Sequence, residues 1–166
     1  DTFTIGCAGG SDFSLIMPFE KEDCSKCCYL RISGLKGGHS GIEIHKNRGN
    51  AIVFLARVLR TLRKRCGCQI AEVAGGSKRN AIPREAEAVV ALPECGFDRA
   101  EQLVADLEEE LGEEYRGIEE GFSISLRESG EKASVMDFET SSLLIDFLSV
   151  LPHGVVKMSG VIPGLV

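Results

Sequence analysis

Cys28-Tyr29-Leu30-Arg31-Ile32-Ser33-Gly34-Leu35-Lys36-Gly37-Gly38-His39-Ser40-Gly41 is the stretch on which the fold turns. Cys28, Leu30 and Ile32 alternate with Tyr29, Arg31 and Ser33, the period of two that marks a half-buried strand. The loop that follows, Gly34 to Gly41, sets four glycines around one histidine. Glycine opens positive φ and lets another molecule approach the backbone closely, at an entropic cost that ordinary connections avoid. The loop therefore reads as built to present His39. Flanked by Gly38 and Ser40, that ring faces solvent or reaches a partner supplied from elsewhere. The competing reading is a tight connection whose histidine is incidental.

Downstream, the period changes to that of a helix from Asn50 to Arg65: Ala51, Leu55, Val58 and Leu62, with Ile52 and Leu59 beside them, form one apolar face. Arg57, Arg60, Arg63, Lys64 and Arg65 occupy the rest, the last three where cations oppose the helix dipole, and Gly67 ends the helix. In an acidic chain this basic face reads as solvated rather than as a polyanion site. A strand is expected from Cys68 to Ala74, then the turn Gly75 to Lys78. Arg79-Asn80-Ala81-Ile82-Pro83 leads into a second strand, Glu85 to Leu92, with Pro83 at its edge or start because it cannot donate to a ladder. Asp98 and Glu101 make a capping-box pattern ahead of a helix with Leu103, Val104, Leu107 and Leu111 on its core face and a solvated acidic outer face. Phe122, Ile124 and Leu126 mark another strand, Phe138 to Leu151 a third helix stopped by Pro152, and Gly154 to Met158 a short strand.

From residue 27 to 127 the order is strand, helix, strand, strand, helix, strand. That is the α+β, ferredoxin-like βαββαβ sandwich, two helices covering one face of a four-stranded antiparallel sheet and the other face left for a partner. The expected division is a connecting arm at 1–23 holding a short strand or turn, a core at 24–130, and a C-terminal helix and strand at 131–166.

The 166 residues suit one domain that needs no staple to fold. A balance of 19 Lys and Arg against 25 Asp and Glu, net −6, argues against a nucleic-acid surface and against an anionic membrane. A nucleic-acid module on such a sheet would also need stacked aromatics, yet there is no Trp and the best strand holds one Phe. No apolar run approaches the ~18 residues that span a bilayer. The start has no basic n-region, apolar h-region or initiator Met, and the end is apolar; the expectation is a cytoplasmic piece of something longer. Seven cysteines without an export signal are expected to be mostly reduced. Cys24, Cys27, Cys66 and Cys68 could form a four-thiolate zinc site, but C-x-C spacing is poorer than C-x2-C, and Cys28 and Cys68 fall in strand patterns where Cys is a small buried hydrophobe. No metal site is expected.

Three stretches together carry a family resemblance: Ile5-Gly6-Cys7-Ala8-Gly9-Gly10, the segment Gly34 to His45, which is the most specific, and Arg79 to Pro83, with Pro152 to Ser159 similar further along. They resemble the lid, or dimerisation, domain of M20-type metallopeptidases, in the aminoacyl-histidine dipeptidase branch. The resemblance implies a hydrolase of Xaa-His type dipeptides whose two zinc ions lie on a separate catalytic domain, with none of the ligand motifs placed here, and a homodimer formed through the lid. It implies that His39 stabilises the oxyanion of amide hydrolysis, in many relatives from the partner subunit, and that Asn80 hydrogen-bonds the substrate at its carboxylate end. His45 lies in the motif without an assigned role. The chain alone would then be an inactive lid fragment. The alternative is a stand-alone ferredoxin-like regulatory or ligand-binding domain whose glycine loop nests an anion.

Overall fold

The computed structural model describes residues 10–24, 26–93, 95–130 and 133–162, with residue 24 in backbone only; the Ile5 to Gly9 part of the first resembling stretch lies outside them. The elements run β1 (Lys21–Cys24), β2 (Cys27–Ser33), β3 (Gly38–His39), a 3-10 turn at Ile44–Lys46, α1 (Ala51–Cys66), β4 (Gln69–Gly75), β5 (Ala81–Ile82), β6 (Ala86–Ala91), α2 (Phe97–Glu114), β7 (Ser123–Glu128), β8 (Ala133–Met136) and α3 (Phe138–Val150). Strands β4, β6, β2 and β7 lie side by side in that order, all antiparallel. This is the ferredoxin-like sandwich the alternation predicted, and α3 adds a third helix.

Register explains the core. Leu30 stands opposite Ala88 on one side and Leu126 on the other, and Ile32 opposite Ala86 and Ile124. One face of the sheet is thereby apolar, and it buries Cys28, Leu30, Ile32, Ala88, Val90, Ile124 and Leu126 against the helices. Each large side chain so buried stabilises the fold by about 1.5–3 kcal/mol. Helix α1 starts where Asn50 accepts the Ile52 amide at 2.9 Å and stops at Gly67, whose left-handed backbone turns the chain out. It buries Phe54 and Ala56 beyond the face expected from its period, because α2 and α3 both pack on it. Phe54 sits edge-on to Tyr115 and Phe122.

The basic and acidic faces are less solvent-directed than expected. Arg57 reaches Glu110 and Glu114 of α2, and Arg63 reaches Asp146 of α3 at 2.9 Å, so these cations link α1 to both neighbouring helices. Ser141, fully buried at the start of α3, accepts the Ile70 amide at 2.9 Å and fixes that helix to β4.

The second face of the sheet is partly covered. β1 pairs with β8, and Val135 of this ribbon packs with Cys27 and Ala91. The arm, expected to hold a short strand or turn at no stated position, contributes β1, and its partner β8 was not anticipated. Two further expectations fail, and one covalent link was not anticipated. Residues 154–158 form no strand, since a strand needs a ladder partner and they have none among the described residues. The Asp98 and Glu101 capping box does not form: Gly96 takes the cap position and Asp98 lies inside the first turn of α2. Finally, Cys66 is bonded to Cys95; the fold brings the end of α1 beside the turn that enters α2, which removes Cys66 from any four-thiolate site. Cys27, Cys28 and Cys68 are buried, and burial pushes the Cys68 thiol up to about 12.

Candidate functional site

Strand β2 is the inner strand that feeds the glycine loop. Its continuation is anchored by Leu35, fully buried, and by Glu119, a buried carboxylate that accepts the Lys36 amide at 2.8 Å and the Gly49 amide at 3.0 Å. Glu119 therefore ties both ends of the Lys36 to Gly49 excursion to one point. Arg84 adds a third tie by donating Nε–H to the Leu35 carbonyl at 3.0 Å.

Beyond that base, the two stretches that carried the resemblance meet. Gly38 pairs with Ile82 and His39 with Ala81 in the two-residue ladder of β3 and β5, and the Ser40 amide donates to the Asn80 carbonyl at 2.9 Å. His39 and Asn80, far apart in sequence, are thus neighbours on one exposed rim. An open groove of about 510 Å3 is lined by Gly38, the end of β4 with the turn after it from Ala74 to Ser77, and the segment Ala81 to Glu87.

The His39 ring is held by its own turn. Its Nδ1 accepts the Gly41 amide at 3.0 Å and the Ile42 amide at 3.4 Å. A nitrogen that accepts backbone N–H groups carries no proton, so the ring hydrogen resides on Nε2. Gly41 permits this: a Cβ there would lie 3.2 Å from the ring carbon Cε1. The backbone of His39 is held as well. Its amide donates to Glu43 at 2.8 Å, and the same carboxylate binds Lys46 and Arg48, each at 2.9 Å. Hydrogen bonds from Lys46 and from the His39 amide, with the charge of Arg48, lower the Glu43 carboxyl to about 2. Arg48 also donates to the Gly37 carbonyl. Gly38, at φ +153, passes so close to this pair that a Cβ would lie 2.6 Å from the Arg48 guanidinium.

What the arrangement offers chemically is an N–H donor at Nε2 of the exposed His39 and the primary amide of the exposed Asn80, on segments whose backbones are bonded to each other. An anion nest is poorly served, because the amides of His39, Ser40, Gly41 and Ile42 are already spent on Glu43, Asn80 and His39 itself. His45 is exposed in the 3-10 turn. His153, in the last resembling stretch, meets the Asn50 amide group at 3.1 Å. Sequence reasoning singled out His39 and Asn80 but missed Glu43, Arg48 and Glu119; the only hint was that Glu43 stands four residues after His39, one helical turn on.

The family model for the M20 peptidase dimerisation domain matches residues 30–119, which contain the whole of this site. The chain belongs to that family. Across nearly its full length the chain is 33% identical to the cytosol non-specific dipeptidase of Escherichia coli, covering 98% of this chain and 34% of the relative. In fold it is similar to the crystal structure of aminoacylhistidine dipeptidase from Vibrio alginolyticus, with a TM-score of 0.82 and 35% identity over 90% of this chain and 31% of the other. The chain thus spans about a third of the length of both relatives. Among the described residues, no three His, Cys, Asp or Glu side chains are grouped to hold a metal, and no helix is long and apolar enough to cross a membrane.

Proposed function

We propose that this chain is the lid of a dipeptidase of the M20 type, hydrolysing dipeptides of the Xaa-His kind, and that it supplies His39 and Asn80 to a catalytic domain outside this chain. The observation that supports the reading is the Nε2–H of the exposed His39, on a loop whose backbone is bonded to that of the exposed Asn80, in a chain similar over nearly its whole length to two dipeptidases. When the peptide carbonyl is attacked, charge develops on its oxygen, and a preorganised donor stabilises that charge most where it need not reorganise. His39 Nε2–H donates to that oxygen. The Asn80 amide donates to the substrate carboxylate without adding charge.

The two zinc ions of such an enzyme find no ligand group among the described residues, so nothing this chain does is routed through them, and the chain alone is expected to be inactive. Residues 1–23 form the arm from the catalytic domain, 24–130 the lid core, and 131–166 its continuation. The family's description as a dimerisation domain supports a homodimer formed through the lid, and the name of the Escherichia coli relative supports a cytosolic setting.

The test is kinetic, in the full-length enzyme with one Xaa-His dipeptide. His39→Ala lowers kcat by roughly 10²-fold or more with KM within a few-fold, the pattern of a contact made only in the transition state. Asn80→Ala acts largely through KM. An unchanged kcat in the folded His39→Ala enzyme overturns the reading.

A further inference from the structure

We propose that Glu43 and Arg48 are positioning residues, a paired clamp that fixes the backbone under His39 so that the ring stays in its Nε2–H form and faces outward. The proposal rests on the reading of His39 as a donor, but its geometry stands apart from it. Loops rich in glycine have no intrinsic reason to hold a side chain in one pose, because each glycine enlarges the set of backbone conformations. Here the freedom is removed by side chains that arrive from the far side of the loop. One Glu43 oxygen takes the His39 amide while the other holds Arg48, and Arg48 spans from that carboxylate to the Gly37 carbonyl. The residues on both sides of Gly38 are thereby bound to one ion pair. The pair is partly shielded, its side chains 21% and 24% exposed, so water competes with it less than with the pairs at the sheet surface.

The consequence for the ring is direct. The Gly41 and Ile42 amides meet Nδ1 only while His39 and the turn after it keep their relative placement, which the bond from the Glu43 amide to the His39 carbonyl at 2.9 Å also requires. Without the clamp, the turn loosens, Nδ1 loses its donors, and the proton distributes over both nitrogens. A planar guanidinium that donates in two directions at once is needed, which is why lysine at position 48 does not substitute.

The experiment has two arms. In this 166-residue chain, nitrogen-15 spectra of the neutral His39 ring show an unprotonated Nδ1 and a protonated Nε2; Glu43→Ala and Arg48→Lys shift both signals toward a tautomer average. In the full-length enzyme, each substitution lowers kcat roughly 10-fold, as small misplacements of a reacting group do, with KM within about two-fold. Placed on a His39→Ala background, neither lowers kcat further. Arg48→Lys keeps the charge and serves where Glu43→Ala fails to fold. Unchanged ring signals, or a full kcat loss that persists in the His39→Ala background, overturn the clamp. If His39→Ala proves harmless while the ring signals still respond to Glu43→Ala, the catalytic reading fails and the clamp stands.

Discussion

Glu119→Ala removes in one step the two acceptors that close the Lys36 to Gly49 excursion. The carboxylate is 3% exposed and takes the Lys36 and Gly49 amides at 2.8 and 3.0 Å. A hydrogen bond to a charged group contributes about 1.5–3 kcal/mol, and a buried donor left unpaired costs a similar amount. Two such bonds lost together, with water able to reach the Lys36 amide more easily than the Gly49 amide, place the destabilisation at about 3–5 kcal/mol, or a fall in Tm of about 10 °C for a chain of this size. Glu119→Gln retains one oxygen but turns an NH2 group toward the other amide, so it loses about half as much. Urea unfolding measures the total, and hydrogen exchange at Lys36 and Gly49 assigns it: both amides lose more protection than the global change explains. A loss below about 1 kcal/mol in Glu119→Ala, or protection at the two amides that follows the global stability alone, would refute the account of the anchor.

Two further outcomes are expected. Cys95→Ser opens the Cys66–Cys95 link, whose ends are 29 residues apart, and costs about 3–4 kcal/mol by loop entropy; wild type in strong reductant loses the same amount, and equal melting of oxidised and reduced protein contradicts it. Glu43 has a folded value of about 2 against an ordinary 4.5, so its contribution to stability is complete above the ordinary value and is lost as pH falls from there toward 2; a carboxyl carbon titration of Glu43 with a midpoint above 4 contradicts the contacts described.

The sandwich was legible because its elements announce their periods. Cys28, Leu30 and Ile32 alternate over a strand buried on one face, and α1 repeats its apolar residues over four turns, so local pattern and tertiary burial agree. The small ladders were not. β3 and β5 have two residues each, too few for any period, and β1 is charged along its length; these strands exist because a distant segment lies alongside. The Val155 and Val156 pair looked like a strand for the opposite reason, favourable residues without a ladder partner among the described residues. At the site, glycine density exposed His39. Glu119 stayed hidden because it stands after the acidic run of α2 and resembles it, and only burial separates it from the solvated glutamates nearby.

One feature of the sheet bears on how this molecule opens in time. β2 is hydrogen-bonded on both sides, to β6 and β7, whereas the β1 and β8 ribbon has two strands alone. Proteins loosen in cooperative pieces, the peripheral ones far more often than the centre. The ribbon can therefore part from the second face, and outer strands can fray, while the root of the His39 loop remains seated on a strand released only by global unfolding. The excursion beyond Leu35 is thus mounted on the slowest part of the domain, and its presentation survives fluctuations that would carry away any loop hung from an edge.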